Sequence, residues 1–78
     1  MILIYEEQMY SKNSEDIRRV VIQADTTPST FPLTGADVTG LNDAAHIAPG
    51  SMIHCVDTGK NYFMNEAGTA WLEDGGNA

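Results

Sequence analysis

Cys55 and His54 are the residues that most readily suggest catalysis, because a thiol beside an imidazole can form a nucleophile and its base. The base must lie within hydrogen-bond distance of the sulfur. Both residues fall in the apolar segment 51–56, which has the composition of a β-strand, and neighbours in a strand point to opposite faces. We therefore expect Cys55 to be a small buried residue, His54 to be half-exposed, and the chain to have no catalytic residue.

Asp43, His46 and Asp57 form the second candidate, a carboxylate and histidine site for a metal ion. Their spacing is looser than that of known loop sites, and the two histidines do not cluster with the single cysteine as zinc ligands do. Asp57 is better explained as the first residue of a turn, where its side chain bonds the turn backbone. The glycines form no phosphate-binding loop, and a thin sheet offers no cleft for paired carboxylates. We expect no metal, no cofactor and no small-molecule substrate.

The charge of the chain limits its partners. Eleven acidic residues against four basic ones give a net charge of −7 at pH 7. A field of that sign repels nucleic acid phosphates and anionic lipid, so neither is expected as a partner. The acidity favours either simple solubility or neutralisation against a basic protein surface. The apolar start of the chain is too short for a signal peptide or a membrane span, which predicts a protein kept in the cytosol where it is made.

The small size of the chain favours association with other chains. Seventy-eight residues make one domain with a thin core, since such a chain buries only about 60–65% of its unfolded surface. A single cysteine allows no internal disulfide, and no metal site is predicted. Burial of apolar surface shared with other chains is the remaining way to stabilise a domain of this size.

The first half of the chain is predicted to contain two strands and one helical turn. Val20 to Ile22 form a β-branched run, which favours a strand over a helix. Thr34 is expected to be the N-cap of the helical turn, with Asp37 in the capping-box position and Gly40 as its end. The predicted elements are a strand over 1–10, a polar loop over 11–16, a strand over 17–24, an extended connection over 25–32, the helical turn over 34–40 and a loop over 42–50.

The last third of the chain predicts an antiparallel meander, because three apolar runs are joined by two short turns that contain glycine. The strands are expected over 51–56, 61–65 and 70–73. The predicted fold class is mainly β: a small antiparallel sheet or β-meander with one short helical turn and long loops. We expect a single domain, with an N-terminal strand and loop over 1–16, a core module over 17–73 and a flexible tail over 74–78.

Apolar side chains on both faces of the strand over 61–65 suggest an interface. Tyr62 and Met64 are predicted on one face and Phe63 on the other. One face can form the core of the domain, with Trp71 capping its end, while the other needs cover from residues 2–5 or from another chain. We leave open whether the core belongs to one chain or is shared. The candidate interface residues are Ile2, Leu3, Ile4, Tyr5, Met52, Tyr62, Phe63, Met64 and Trp71.

The segment from Gly50 to Leu72 resembles a pattern found in small virion proteins of tailed phages. The pattern is a Gly-Ser pair, an apolar strand, Asp-Thr-Gly-Lys, then Tyr-x-Met-Asn, a glycine and a tryptophan. It is similar to modules near the base of phage head fibres and to capsid decoration proteins. The residues over 31–38, 41–42 and 48–51 are similar to the stretch that introduces this hairpin, so the resemblance spans about residues 17–73.

The resemblance implies a non-enzymatic accessory protein on the exterior of the capsid, made in the host cytoplasm. Its partners would be the major capsid protein and copies of itself in a symmetric homo-oligomer, with a trimer favoured. The end of the chain at residue 78 favours a decoration role over host adsorption. The alternative is a small acidic inhibitor or regulatory protein that binds a host protein and mimics nucleic acid. A mimic should present its carboxylates in one stripe, whereas here they are scattered along the sequence.

Overall fold

The computed structural model describes residues 1–9 and 16–74, and within them one mixed sheet dominates the fold. The mainly β class and the single helical turn predicted from the sequence are confirmed. The residues over 10–15 and 75–78, which include most of the predicted loop and tail, lie outside the described part. The elements are β1 (Ile2–Gln8), β2 (Ile17–Ala24), a 3-10 helix (Gly35–Asp37), β3 (His46–Ile47), β4 (Met52–Cys55), β5 (Lys60–Met64) and β6 (Trp71–Glu73).

The order of the strands in the sheet is β1-β2-β4-β5-β6, with β3 also paired to β2. β1 and β2 are antiparallel, but β2 runs parallel to both β3 and β4. The sheet is therefore mixed rather than wholly antiparallel, and the short strand β3 lies where a loop was predicted. Parallel neighbours require a long crossover, which residues 25–51 provide. The extended connection predicted over 25–32 forms the first part of this crossover.

The predicted antiparallel meander is confirmed. β4 pairs with β5 and β5 with β6, both antiparallel. The first turn brings Cys55 opposite Lys60, and Gly59 within it has a positive φ of 73°. A glycine adopts this left-handed conformation without the steric cost that a Cβ would add.

Thr34 caps the 3-10 helix as predicted. Its hydroxyl accepts a hydrogen bond of 3.5 Å from the backbone N–H of Ala36. The helix ends at Asp37, before Gly40, because Val38 is already extended with φ −115° and ψ 116°. Val38 is buried, so the short helix serves to turn this side chain into the core.

One face of the sheet, here called the inner face, carries the core. Val20 and Ile22 of β2 and Ile53 and Cys55 of β4 are all fully buried on it. The crossover lies over this face and supplies further core residues, while Ala24 of β2 and Met64 of β5 complete the core. The crossover residues in the core are Val38, Leu41, Ala45 and Ile47. We call the opposite side of the sheet the outer face.

Candidate functional site

A continuous row of apolar side chains crosses the outer face of the sheet. Residues that face each other across paired strands project to the same side of the sheet. The register places Tyr5 opposite Val21, Val21 opposite Met52, Met52 opposite Phe63, and Phe63 opposite Leu72. One apolar residue from each of five strands therefore lies along a line perpendicular to the strands. We call these five residues the transverse row.

The largest side chains of the transverse row are accessible. Tyr5 is 52% exposed, Phe63 38% and Leu72 59%. Val21 and Met52, at the middle of the row, are half-buried between their neighbours. A contiguous apolar band on a small protein marks a binding surface more often than isolated exposed residues do.

A β-bulge brings Tyr5 into the row. The pairing of β1 with β2 shifts by one residue between Leu3 and Tyr5. Leu3 consequently faces Ile22 on the inner face, while Tyr5 faces Val21 on the outer face. A bulge inserts one extra residue and thereby changes the face on which the following side chains lie.

Polar side chains border the transverse row on both sides. On one side His54 and Asn61 form a hydrogen bond of 2.6 Å between the imidazole Nδ1 and the amide Oδ1. On the other side Arg19 donates to the carboxylate of Glu7 at 3.1 Å. The two charges of this pair cancel. On the His54 side, Asp74 lies opposite Asn61, with its backbone N–H donating to the Asn61 carbonyl at 2.8 Å, and adds one exposed carboxylate at the end of that border.

The two edges of the sheet are poorly suited to pairing with another chain. The first residues of β1 are already bonded to the crossover, with the Leu3 N–H donating to the Thr39 carbonyl at 2.9 Å. The bulge and the carboxylates of Glu6 and Glu7 follow along this edge. At the opposite edge β6 has three residues. Bulges, charges and short strands are the usual means by which edges avoid association, so the outer face is the better candidate surface.

The predicted interface residues separate into two groups. Leu3, Tyr62 and Trp71 are partly buried against the core, and Met64 is 4% exposed within it. The remaining predicted residues are exposed or half-buried, and two of them, Ile2 and Ile4, lie outside the transverse row. The exposed or half-buried group consists of Ile2, Ile4, Tyr5, Met52 and Phe63.

β1 pairs within the chain and does not cover β5. β1 lies at one edge of the sheet, with β2 and β4 between it and β5. The side chain that does cover the aromatic residues of the meander is Phe31, which the sequence did not single out. Its ring lies 4.7 Å from the ring of Tyr62 and 6.4 Å from that of Trp71. Phe31 lies beside Pro32 in an irregular part of the crossover, where no strand or helix periodicity in the sequence indicates which side chains are buried.

Cys55 and His54 lie on opposite faces of β4, as their positions in a strand predict. Cys55 is fully buried on the inner face. His54 is half-buried and engages Asn61 on the outer face. The backbone of β4 thus separates the thiol from the imidazole.

Asp57 is held by the crossover. Its carboxylate accepts hydrogen bonds from the Thr27 backbone N–H at 2.9 Å and from the Thr27 hydroxyl at 2.8 Å. The bond from the backbone N–H is the main cause that lowers the pKa of Asp57 below its ordinary value. Asp57 therefore links two segments, beyond the local turn role predicted for it. Among residues 1–9 and 16–74, no group of three or more His, Cys, Asp or Glu side chains is placed to hold a metal ion.

A cleft of about 470 Å³ lies at the start of β1, lined by residues of β1, the end of β2 and the crossover. Among the described residues that line it, Asp25 is the single ionisable side chain. No helix in the described part of the chain is long and apolar enough to cross a bilayer. Comparison of the chain with family models, curated proteins and solved structures yields no match.

Proposed function

We propose that this protein is a non-enzymatic accessory protein of a phage particle, which associates with copies of itself and attaches to the outer surface of the capsid shell. The observation that supports a binding role is the transverse row. Five apolar side chains in register across an open sheet serve no core within the chain, and their burial by another protein surface is favourable. The capsid as the site of attachment is carried by the sequence resemblance over residues 17–73.

The arrangement of ionisable groups favours binding over catalysis. The thiol of Cys55 is buried in the core, and the imidazole of His54 is on the other face of the sheet. Substitution of Cys55, which lies away from the outer face, should therefore leave attachment and assembly unchanged. Cys55→Ser is the variant for this comparison, checked for folding by circular dichroism.

Particle association tests the proposal directly. The protein is expressed with the phage that encodes it, particles are purified on a density gradient, and the number of copies per shell subunit is measured. A fixed ratio to the shell protein is the expected result, and adding purified protein to particles that lack it should restore that ratio. Absence from particles, together with recovery of a host DNA-binding enzyme from lysate, would replace the proposal with the acidic inhibitor.

A further inference from the structure

We infer that a second copy of this chain covers the transverse row, with the two outer faces packed together about a two-fold axis parallel to the strands. The inference deepens the proposed self-association by naming its surface and its geometry. It replaces the trimer expected from the resemblance with a pair.

The distribution of charge favours a second copy on this face. The protein has a net charge of −7, so most of its surface repels a copy of itself. Beside the transverse row, however, the charges of Glu7 and Arg19 are paired. Five exposed carboxylates lie instead on the connections between elements or on the 3-10 helix. They are Asp25, Asp37, Asp43, Asp57 and Glu66.

The low net charge beside the row also indicates the kind of partner that binds there. A basic partner would be recognised by carboxylates placed around the contact, as charge complementarity requires. The border of the row offers the His54 and Asn61 pair on one side, with the single carboxylate of Asp74 at its end, and the neutralised Arg19 on the other. An uncharged apolar band matches another uncharged apolar band, which the same face of a second copy provides.

The order of side chains along the row sets the geometry of the pair. A two-fold axis along the strands reverses the row of the second copy. Met52, the third of five residues, then meets the partner copy's equivalent methionine, whose flexible side chain adapts to the gap. Val21 meets Phe63, and Tyr5 meets Leu72, so a small side chain faces a large one. An axis along the row would instead place Phe63 against Phe63 and Val21 against Val21. Two large side chains would then meet at one position and two small ones at another, and the distance between the faces could not suit both.

The size of the face indicates a weak pair. Five strands about 4.8 Å apart, each contributing about five residues at about 3.4 Å, give a face of roughly 400 Å² per copy. Two such faces fall below the range of about 1,200–2,000 Å² that stable complexes bury. The pair should therefore form at high protein concentration, as on a particle surface where copies are held close together.

Sedimentation equilibrium of the full chain from about 1 µM to about 1 mM tests the inference. A mass that rises from one copy to two is expected. Leu72→Lys should weaken association at least tenfold, because it places a charge in the row. Leu33→Lys is the matched control, since Leu33 is 48% exposed on the crossover and Leu72 is 59% exposed. Phe63→Thr, which keeps a strand-forming residue, is the second row variant if Leu72→Lys does not fold.

A charge swap tests the reversed order of the row. Tyr5→Glu alone should also weaken association, whereas Tyr5→Glu combined with Leu72→Lys should restore it. The two positions lie on opposite edges of one sheet, so their charges can meet only between copies. Failure of the double variant to associate, with each single variant folded, would overturn the two-fold geometry.

A wild-type chain that stays a single copy at about 1 mM would overturn the inference. A mass of three copies would do the same. Attachment to particles is measured separately, so a wild-type chain that attaches to particles but does not pair in solution contradicts the pair alone. A wild-type chain that pairs in solution but does not attach to particles contradicts the proposed function instead.

Discussion

The indole Nε1 of Trp71 donates a hydrogen bond of 2.7 Å to the backbone carbonyl of Pro32. This bond joins β6, at one edge of the sheet, to the beginning of the crossover, 39 residues earlier in the chain. Phe31 lies against the same indole and against Tyr62. The last strand is thus anchored by the crossover as well as by its ladder with β5.

Two substitutions of Trp71 should measure separately how much its hydrogen bond and its ring packing contribute to the free energy of unfolding. Trp71→Phe removes the donor and keeps a ring, so we expect a loss of about 1 kcal/mol in the free energy of unfolding. Trp71→Ala also removes the contacts with Phe31 and should cost about 3 kcal/mol, the lower end for aromatic truncation because the indole is half-exposed. Urea unfolding measures both. Equal losses in the two variants would assign no role to ring packing.

Ser51 is a buried polar residue whose hydroxyl bonds the backbone of β2. Its hydroxyl is fully buried and accepts a hydrogen bond of 3.0 Å from the backbone N–H of Val20. Ser51→Ala leaves that N–H without its acceptor inside the core, which should cost about 1–3 kcal/mol in the free energy of unfolding. Ser29→Ala, at an exposed position of the crossover, is the control and should change the unfolding midpoint little. An unchanged midpoint for Ser51→Ala would show that this bond is dispensable.

Gly35 and Gly59 should tolerate alanine to different extents. A Cβ at Gly35 would overlap the backbone carbonyl oxygen of Asn42 and lie 2.9 Å from the Leu41 side chain. At Gly59 it would meet no atom within 4 Å, so the cost there comes from the φ of 73° alone. We expect about 1 kcal/mol for Gly59→Ala and a larger loss for Gly35→Ala, measured by thermal melts. The reverse ranking would contradict the close approach of residues 35 and 42.

Asp57 should make stability depend on pH. The hydrogen bonds from Thr27 lower its folded-state pKa below the ordinary value of 3.8. The carboxylate therefore contributes stability above that value, and the contribution is lost as the pH falls through the folded-state pKa. The melting temperature of Asp57→Asn should lie below that of the wild type at pH 7, and the difference should shrink below pH 3.8.

Two variants accompany the pH measurement. Asp43→Asn removes a carboxylate from another exposed loop and controls for the change in net charge. Thr27→Ala removes one of the two donors to Asp57 and should give a smaller pH-dependent difference than Asp57→Asn. A difference between the wild type and Asp57→Asn that stays constant down to about pH 2 would contradict the link between the two residues.

The candidate surface was only partly predictable from the sequence. Successive side chains of a strand lie on opposite faces of the sheet, so the sequence alone places Phe63 on the face opposite to Tyr62 and Met64. Val21 and Leu72 were not singled out, because neither differs from an ordinary strand residue in its local pattern. They belong to the row only through the pairing of β2 with β4 and of β5 with β6.

The sequence by itself determined the local structure: the strand over 17–24, the cap at Thr34, and the meander with its turn at Gly59. These features depend on side-chain branching, on capping oxygens and on the freedom of glycine, which act within a few residues. The tertiary structure decided the parallel pairing of β2 with β4 and the bulge that turns Tyr5 outward. Both depend on which distant strands become neighbours and in which register, and that is set by burial of the inner face under the crossover.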